Sequence, residues 1–335
     1  MTQSSTTRRR LLGAAALASL SAAGAGMAPS AFAQAAWPSR PVVIVVPFPA
    51  GGGTDAFARP LTAVLTKQTG KQFIIDNKGG AGGTVGATIA SKAAPDGYTF
   101  LLSVNAPLVY NTILVKNLPY DPFKDLRPVG LAATTPNVCA VTDAVGATTV
   151  AGWLESLRRN PGKFNFASTG SGSISHLGIE LLKLRTDSYA VHIPYPSSAG
   201  AVLSMLQGDV HFACLPPVTV MPQVKAGKLH ALAVTSAERF ALLPDLPTLK
   251  ESGIPDIQAV PWFAYMAPAG TPDAIVERMS REIAAVLKQP QARQRLQAAY
   301  FDPVGGTPEE LARFMREELD RWKPVIERAG LKPDS

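Results

Sequence analysis

Short apolar runs rich in β-branched residues alternate along the chain with longer segments of helical periodicity. The clearest apolar runs cover residues 42–46, 73–75, 99–102, 164–167, 210–212 and 229–235. Helical patterns cover residues 54–68, 150–159, 175–184 and 199–206. Strands that alternate with helices in this way are typical of βαβ units, so the pattern predicts an α/β fold with parallel sheets.

Two further helices are predicted near the C-terminus. Thr271-Pro272 and Thr307-Pro308 each place a threonine that can cap a helix before a proline suited to its first position. Glu310 would complete a capping box with Thr307. One face of the last helix carries Leu311, Phe314, Met315, Leu319 and Trp322, as expected of an amphipathic helix packed on a globular lobe.

The first 33 residues have the pattern of a cleaved export signal. Arg8, Arg9 and Arg10 precede an apolar stretch rich in Ala and Gly, and Ala31-Phe32-Ala33 matches a small-x-small cleavage site. We therefore predict a twin-arginine signal over residues 1–33, a mature chain from Gln34 and a periplasmic location. An uncleaved membrane anchor is the alternative, which the high Ala and Gly content disfavours.

The length and net charge of the chain restrict the classes of protein to which it can belong. About 300 mature residues exceed what one hydrophobic core usually holds, so two domains are expected. Loss of the three signal arginines lowers the formal net charge from +7 to +4. Without a long cluster of Lys and Arg the chain has no signature of a nucleic-acid partner, while a mild positive field favours anionic ligands.

Cys139 and Cys214 each lie in an apolar run typical of a strand. An oxidising compartment would allow a disulfide between them, whereas an unpaired buried cysteine packs as a small hydrophobic residue. Both alternatives stay open at this point, and we favour two unpaired, buried cysteines.

Four loops rich in glycine and small polar residues follow predicted strands, at residues 47–55, 77–84, 103–107 and 167–173. In open α/β sheets the ligand crevice lies at this end of the strands, so we expect the loops to converge on one cleft. A helix that begins in such a loop directs free N–H groups and its positive dipole end into the same space, which suits an anion. Ordinary turn chemistry is the alternative interpretation of each loop.

The sequence lacks the motifs of several common enzyme classes. G-x-S-x-G, G-x-G-x-x-G and G-x-x-x-x-G-K-[ST] do not occur, and the histidines are too widely spaced for a metal pattern. We therefore expect no catalytic residues, no metal and no cofactor. The alternative is an exported α/β hydrolase, in which a serine of residues 168–173 acts with His176 or His192 as base, although no acidic third member is evident.

Motifs spread along the chain resemble one family of receptors. In chain order they are VVPFPAGGGTD from Val45, NKGGAGG from Asn77, APDGYT from Ala94, LPYDP from Leu118, PGKFNFAS from Pro161, HIPY from His192, AGKLHALAVTS from Ala226, LPDLPT from Leu243 and APAGTP from Ala267. Together they resemble the Bug-type solute receptors of tripartite tricarboxylate transporters over nearly the whole mature chain.

The resemblance implies a two-lobed periplasmic binding protein, a type II-like Venus flytrap with two crossing segments at its hinge. Lobe 1 would comprise residues 34–136 and 255–335, and lobe 2 residues 137–254, with the crossings near Pro136 and Pro255. The resemblance also implies a monomer that captures a small carboxylate and delivers it to membrane permease subunits. A sensor of the same fold is an alternative that the sequence does not distinguish.

Carried over position by position, the resemblance implies a ligand site built by both lobes. The residues from lobe 1 are Phe48, Gly53, Thr54, Asp55, Ala81, Gly82, Ser103 and Asn105, and those from lobe 2 are Ser168, Thr169, Ser173 and His176. Asp55 could instead cap its own helix.

The chain departs from the family pattern at one wall of the cleft. Leu215-Pro216-Pro217 stands where many relatives have a polar pair, and Pro196-Ser197-Ser198 replaces the usual lysine and glycines. Both changes make the wall less polar. We therefore add Leu215 to the ligand-binding residues and predict a ligand with an apolar or aromatic part opposite its carboxylate, whose binding Leu215→Asp would weaken.

Overall fold

The computed structural model describes residues 37–328 together with 330–331. The predicted signal over residues 1–33 lies outside the described residues. No helix in the described part of the chain is both long and apolar enough to cross a membrane.

Strands and helices alternate through most of the described chain. The strands are β1 (Val42–Val46), β2 (Phe73–Asn77), β3 (Thr99–Val104), β4 (Leu126–Thr134), β5 (Val138–Val141), β6 (Asn165–Ser168), β7 (Val191–Pro194), β8 (Phe212–Leu215), β9 (His230–Val234), β10 (Trp262–Pro268) and β11 (Asp302–Pro303). The α-helices are α1 (Gly53–Thr69), α2 (Thr84–Ser91), α3 (Asn111–Leu114), α4 (Val150–Arg159), α5 (Ile174–Thr186), α6 (Ser198–Gln207), α7 (Pro217–Lys225), α8 (Asp273–Lys288), α9 (Pro290–Ala298) and α10 (Pro308–Arg328).

The strands form two mixed sheets, so the predicted α/β fold is confirmed, whereas the expectation that the sheets are parallel was wrong. The first sheet has the order β11-β4-β10-β3-β1-β2, and the second has the order β7-β6-β8-β5-β9. Neighbours within βαβ units are parallel, as in β1 with β2 and β6 with β7. The strands next to the crossings pair in the antiparallel direction. β10 pairs in this way with β3 and β4, and β5 pairs in this way with β8 and β9. We call the part built on the first sheet lobe 1 and the part built on the second sheet lobe 2.

Two short crossings, held side by side, join the lobes. Residues 135–137 lead from β4 to β5, and residues 259–261 lead back toward β10. Thr235, which follows β9, connects them: its Oγ1 accepts a hydrogen bond from the amide of Asn137 at 3.0 Å and donates one to the carbonyl of Ala259 at 2.7 Å. These two hydrogen bonds hold the crossings together.

The last helix packs as its periodicity predicted. Leu311, Met315 and Trp322 are buried. The capping box is present, since the amide of Thr307 donates to Glu310 Oε2 at 2.8 Å and the amide of Glu310 donates to Thr307 Oγ1 at 3.2 Å. The predicted α10 start is therefore confirmed.

The predicted start of α8 was wrong by one position. The helix begins at Asp273, with Pro272 rather than Thr271 as its cap residue. The hydroxyl of Thr271 donates instead to the carbonyl of Pro268 at 2.7 Å, where it closes the turn after β10.

Cys139 and Cys214 form a disulfide bond, so the expectation of two unpaired cysteines was wrong. They lie directly opposite one another on the antiparallel strands β5 and β8, and their Cα atoms are 3.9 Å apart. The sequence could not show this, because the pairing joins positions 75 residues apart through a strand register that no local pattern encodes.

Candidate functional site

Loops from both lobes meet and line two adjoining cavities. The inner cavity has a volume of about 70 Å³ and the outer cavity one of about 620 Å³. They share a lining that includes Phe48, Gly82, Thr169 and Ser171. The lobes are in contact here, since a Cβ on Gly53 of lobe 1 would lie only 3.3 Å from Pro216 Cγ of lobe 2. The structure is therefore a closed form of the two-lobed protein.

Helices from both lobes begin at the inner cavity. Gly53 and Thr54 line it at the start of α1, which has no side-chain cap. Ser173 caps α5 and Ser197 caps α6, and both residues also line the cavity. The first N–H groups of a helix have no intrahelical partner and carry its positive dipole end, so three helices present anion-binding groups to one space.

The lining itself is uncharged. Among the described residues that line either cavity there is no Lys, Arg, Asp or Glu. Aromatic and proline side chains form the apolar part of the inner wall, namely Phe48, Phe263, Pro216 and Pro261. An anion here would be held by amides, hydroxyls and helix dipoles rather than by a cationic side chain.

The turn before α2 brings bare backbone to the cleft. Ala81, Gly82 and Gly83 all have positive φ, at 46°, 61° and 93°. A Cβ on Gly83 would lie 2.5 Å from Pro107 Cγ, so only glycine fits there. Ala81 and Gly82 consequently line the outer cavity with little side chain between backbone and ligand.

Most of the predicted site residues face the cavities. Phe48, Gly53, Thr54, Ala81, Gly82, Asn105, Thr169, Ser173 and His176 line one or both. Asp55, Ser103, Ser168 and Leu215 do not.

Asp55 holds the first loop in shape. Its carboxylate accepts hydrogen bonds from the Gly51 amide at 2.9 Å, from Arg59 Nε at 2.7 Å and from Asn77 Nδ2 at 3.3 Å. Burial disfavours the charged form, but these hydrogen bonds outweigh it and hold the pKa of Asp55 below its ordinary value. The side chain thus braces the loop and leaves no carboxylate in the cleft.

Ser168 and two histidines lie behind the serine-rich loop of lobe 2. Ser168 Oγ is 2.6 Å from His192 Nε2 and donates to the carbonyl of Gly170 at 3.0 Å. His176 Nδ1 accepts a hydrogen bond from the Gly172 amide at 3.0 Å, and its ring stacks on that of His192 with centroids 3.8 Å apart. His176 therefore fixes the backbone of this loop directly, and His192 does so through Ser168.

The histidine pair is held neutral. Burial, the adjacent His192 and the charge of Lys183 lower the pKa of His176 to about 3, and burial and Lys183 lower the pKa of His192 to about 4. Ser168 is fully buried, and within the described residues His192 has no hydrogen bond to a carboxylate. Ser168, which contacts His192, is therefore not an exposed nucleophile, and the carboxylate beside the pair, Glu180, lies 3.7 Å from His176 Nε2 and binds Lys183 instead.

Asn105 lines the inner cavity, but both polar atoms of its side-chain amide already make hydrogen bonds within the protein. Oδ1 accepts from the Trp262 amide at 3.2 Å, and Nδ2 donates to Tyr110 Oη at 3.1 Å and to the carbonyl of Val260 at 3.2 Å. The buried carboxylate of Glu318 completes this network, since it accepts from Tyr110 at 2.8 Å and from Trp262 Nε1 at 3.0 Å. Asn105 therefore joins the return crossing to lobe 1.

Leu215 lies in the core of lobe 2 and is fully buried there. Strand alternation explains this position, because Leu215 is the last residue of β8 and the next residue, Pro216, turns to the inner cavity. The apolar wall that we predicted is present, but Pro216 supplies it. Leu215→Asp would bury an unpaired charge and would report on folding rather than on ligand binding.

Five polar residues of the inner cavity are not among the predicted site residues: Asn137, Ser171, Ser175, Ser197 and Ser198. Ser197 and Ser198 lie directly before a predicted helix, and their capping pattern could have identified them. Asn137 follows Pro136 at the first crossing, and no local signal marks it.

Comparisons with known proteins agree with this geometry. A sequence profile described as "Tripartite tricarboxylate transporter family receptor" matches residues 57–331. Protein BugT of Bordetella pertussis is 35% identical over 297 residues, which are 88% of this chain and 91% of BugT.

Two solved structures are similar over their whole length. Rpa4515 of R. palustris, solved with adipate, is 34% identical with a TM-score of 0.86 and covers 89% of this chain and 100% of its own. MatC of Rhodopseudomonas palustris, solved with malate, is 31% identical with a TM-score of 0.80 and covers 87% of this chain and 100% of its own. The matching family consists of receptors, and this disfavours the hydrolase alternative. The chain belongs to the receptor family of the tripartite tricarboxylate transporters.

Proposed function

We propose that this chain is a periplasmic receptor that, as a monomer, binds a small carboxylate between its lobes and delivers it to the permease subunits of a tripartite tricarboxylate-type transporter. The observation that carries the proposal is the convergence of α1, α5 and α6 on an uncharged cavity lined by both lobes. Adipate and malate, found with Rpa4515 and MatC, are small carboxylates.

The ligand carries an apolar or aromatic part in this proposal. Phe48, Phe263 and Pro216 line the inner cavity and offer it an apolar surface. A ligand with several charged groups would have to leave them against this surface without a counter-ion, which is unfavourable.

Binding and closure are coupled. The site combines residues from both lobes, so its full set of contacts exists only in the closed form, and a ligand shifts the equilibrium toward that form. Enclosure also removes water from around the hydrogen bonds and strengthens them. The proposal takes residues 34–136 and 255–335 as lobe 1 and residues 137–254 as lobe 2.

Two features support export to the periplasm. Residues 1–33 have the sequence pattern of a twin-arginine signal. The disulfide between Cys139 and Cys214 suits an oxidising compartment.

Ser197 allows a matched test of the anion site. Its Oγ caps α6 by accepting a hydrogen bond from the Gly200 amide at 3.2 Å, and the residue lines the inner cavity. Asp and Asn cap helices about as well as Ser and are nearly equal in size, so Ser197→Asp adds a negative charge and Ser197→Asn does not. We expect Ser197→Asp to abolish carboxylate binding and Ser197→Asn to retain most of it.

The measurement is calorimetric titration and thermal unfolding of the chain from Gln34 onward with mono-, di- and tricarboxylates, aromatic acids included. A bound acid at a hundred times its Kd stabilises the wild type by about 2.7 kcal/mol. Failure of every acid to bind, or equal binding by the two Ser197 variants, would contradict the proposal.

A further inference from the structure

Asn137 lines the inner cavity, and its side-chain amide has no hydrogen-bond partner among the described residues. The residue is 1% exposed, and neither Oδ1 nor Nδ2 makes a hydrogen bond to any described residue. Its backbone is fixed at the first crossing, because its amide donates to Thr235 Oγ1 and its carbonyl accepts from the Thr235 amide, both at 3.0 Å. The side chain is thus held in place by its backbone while both of its polar atoms stay unpaired.

Ser198 is a second unpaired group in the same lining. It is 2% exposed, and its Oγ has no hydrogen-bond partner among the described residues. Native proteins rarely leave buried polar atoms unpaired, because a group cut off from water needs a replacement partner. Six other described residues also have unpaired buried side-chain atoms, but none of them lines either cavity. Asn137 and Ser198 differ in that a ligand in the inner cavity could supply their partners.

The chemistry of Asn137 restricts what that partner can be. Its amide offers donors at Nδ2 and an acceptor at Oδ1, and a flip of the amide exchanges the two atoms without changing the requirement. A carboxylate only accepts, so it would satisfy Nδ2 and leave Oδ1 facing negative charge. An ammonium group only donates, and the described lining offers it no carboxylate. A hydroxyl or a carboxamide both donates and accepts.

We propose that Asn137, with Ser198, forms a subsite for a neutral hydroxyl or carboxamide group of the ligand, and that it selects against a second carboxylate at this end. The inference rests on the proposed function, since it assigns the ligand's single carboxylate to the N-termini of α1 and α5, and its neutral group to Asn137 and to Ser198, the first residue of α6. The ligand class is then a monocarboxylate with an apolar body and a neutral polar group.

Four acids with the same number of carbon atoms test the subsite. Hexanoate, 6-hydroxyhexanoate, adipamate and adipate differ only at the far end, which is a methyl, a hydroxyl, a carboxamide or a carboxylate. The series is repeated from four to eight carbons, and Kd is measured by calorimetry for the wild type, Asn137→Leu and Ser198→Ala. Asn137→Leu keeps the approximate size of the side chain and removes its polarity.

The wild type is expected to bind the hydroxyl and carboxamide acids at least tenfold more tightly than the methyl and carboxylate acids of the best length. In Asn137→Leu the Kd of the hydroxyl and carboxamide acids should rise at least tenfold, while the Kd of the methyl acid should stay within twofold of the wild-type value. Ser198→Ala removes only a hydroxyl and should also weaken binding of the hydroxyl and carboxamide acids. This variant keeps the test valid if Asn137→Leu does not fold.

Other outcomes overturn the inference. A wild type that prefers the carboxylate-ended acid, or variants that weaken all four acids equally, would refute the subsite while carboxylate binding and its loss in Ser197→Asp stand. If no acid binds the wild type at any length, the proposed function fails and the inference fails with it.

Discussion

At the scale of single residues, the stacked histidines make the stability of the protein depend on pH. His176 and His192 are neutral in the folded chain, with pKa values of about 3 and 4, whereas histidine in an unfolded chain has a pKa of about 6.5. Between these values the unfolded state binds more protons. The free energy of unfolding is therefore expected to fall as the pH falls from about 6.5 toward 4, by up to about 1.4 kcal/mol per pH unit for each histidine.

Two variants of His192 isolate this effect. His192→Phe keeps an aromatic ring beside Phe166, and His192→Asn keeps a polar group near Ser168. Neither titrates, so both should flatten the pH dependence by the same amount although their absolute stabilities differ. Urea unfolding at a series of pH values from 4.5 to 7 measures the slopes, and slopes equal to that of the wild type would show that His192 does not contribute.

The role of a single residue could be predicted from the sequence only where that role depends on its neighbours along the chain. The glycine and serine loops were identified because their composition reports their backbone geometry. Leu215 was selected because it stands where relatives have a polar pair, but the alternation of side chains at the strand end buries Leu215 and turns Pro216 to the cavity. Asn105 was selected correctly as a cavity residue, but its bonds to Trp262 and Tyr110 depend on distant parts of the chain.

At the scale of elements, the disulfide between β5 and β8 stabilises lobe 2 against unfolding. A crosslink between positions 75 residues apart restricts the unfolded chain, and disulfides of this kind typically contribute about 2–4 kcal/mol. We expect dithiothreitol to lower the urea midpoint of the wild type accordingly.

The double variant Cys139→Ala/Cys214→Ala is the control for reduction. It cannot form the bond, so its midpoint should be lower than that of the oxidised wild type and should not respond to dithiothreitol. A wild-type midpoint that is unchanged by complete reduction, with free thiols verified by labelling, would contradict the expectation.

The elements that periodicity predicted are those buried on one face or bounded by turn residues. Each predicted strand and helix is present within a few residues of its expected limits. β4 and β10 were not predicted: β4 contains Pro128 and Gly130, and β10 is buried at every position, so it shows no alternation. Their role in the first sheet depends on long-range pairing, which a local pattern does not contain.

At the scale of the whole molecule, Gly172 tests whether the observed closure is the binding form. A Cβ on Gly172 of lobe 2 would lie 2.5 Å from Leu114 Cδ1 of lobe 1. In Gly172→Ala the end of the Leu114 side chain must move before the lobes can close, so this variant should weaken ligand binding about threefold, a cost of about 0.7 kcal/mol. Leu114→Ala in the same chain removes the obstacle and should restore much of the affinity.

Gly146 provides the matched control for backbone strain. Its φ of 68° is close to the 74° of Gly172, and no atom lies within 4 Å of a Cβ placed on it. Gly146→Ala should lower the free energy of unfolding by about 1–2 kcal/mol and leave the Kd unchanged. Equal losses of affinity in the Gly146 and Gly172 variants would indicate that strain, and not contact between the lobes, is responsible.

The insertion of β10 between β3 and β4 sets an order of assembly. The second sheet is complete in sequence once β9 has been made at Val234, whereas the first sheet lacks a central strand until Pro268. A nascent chain can therefore pair the strands of its inserted lobe while β3 and β4 still present open edges where β10 belongs. The outer lobe, although it begins first, is the last to be finished.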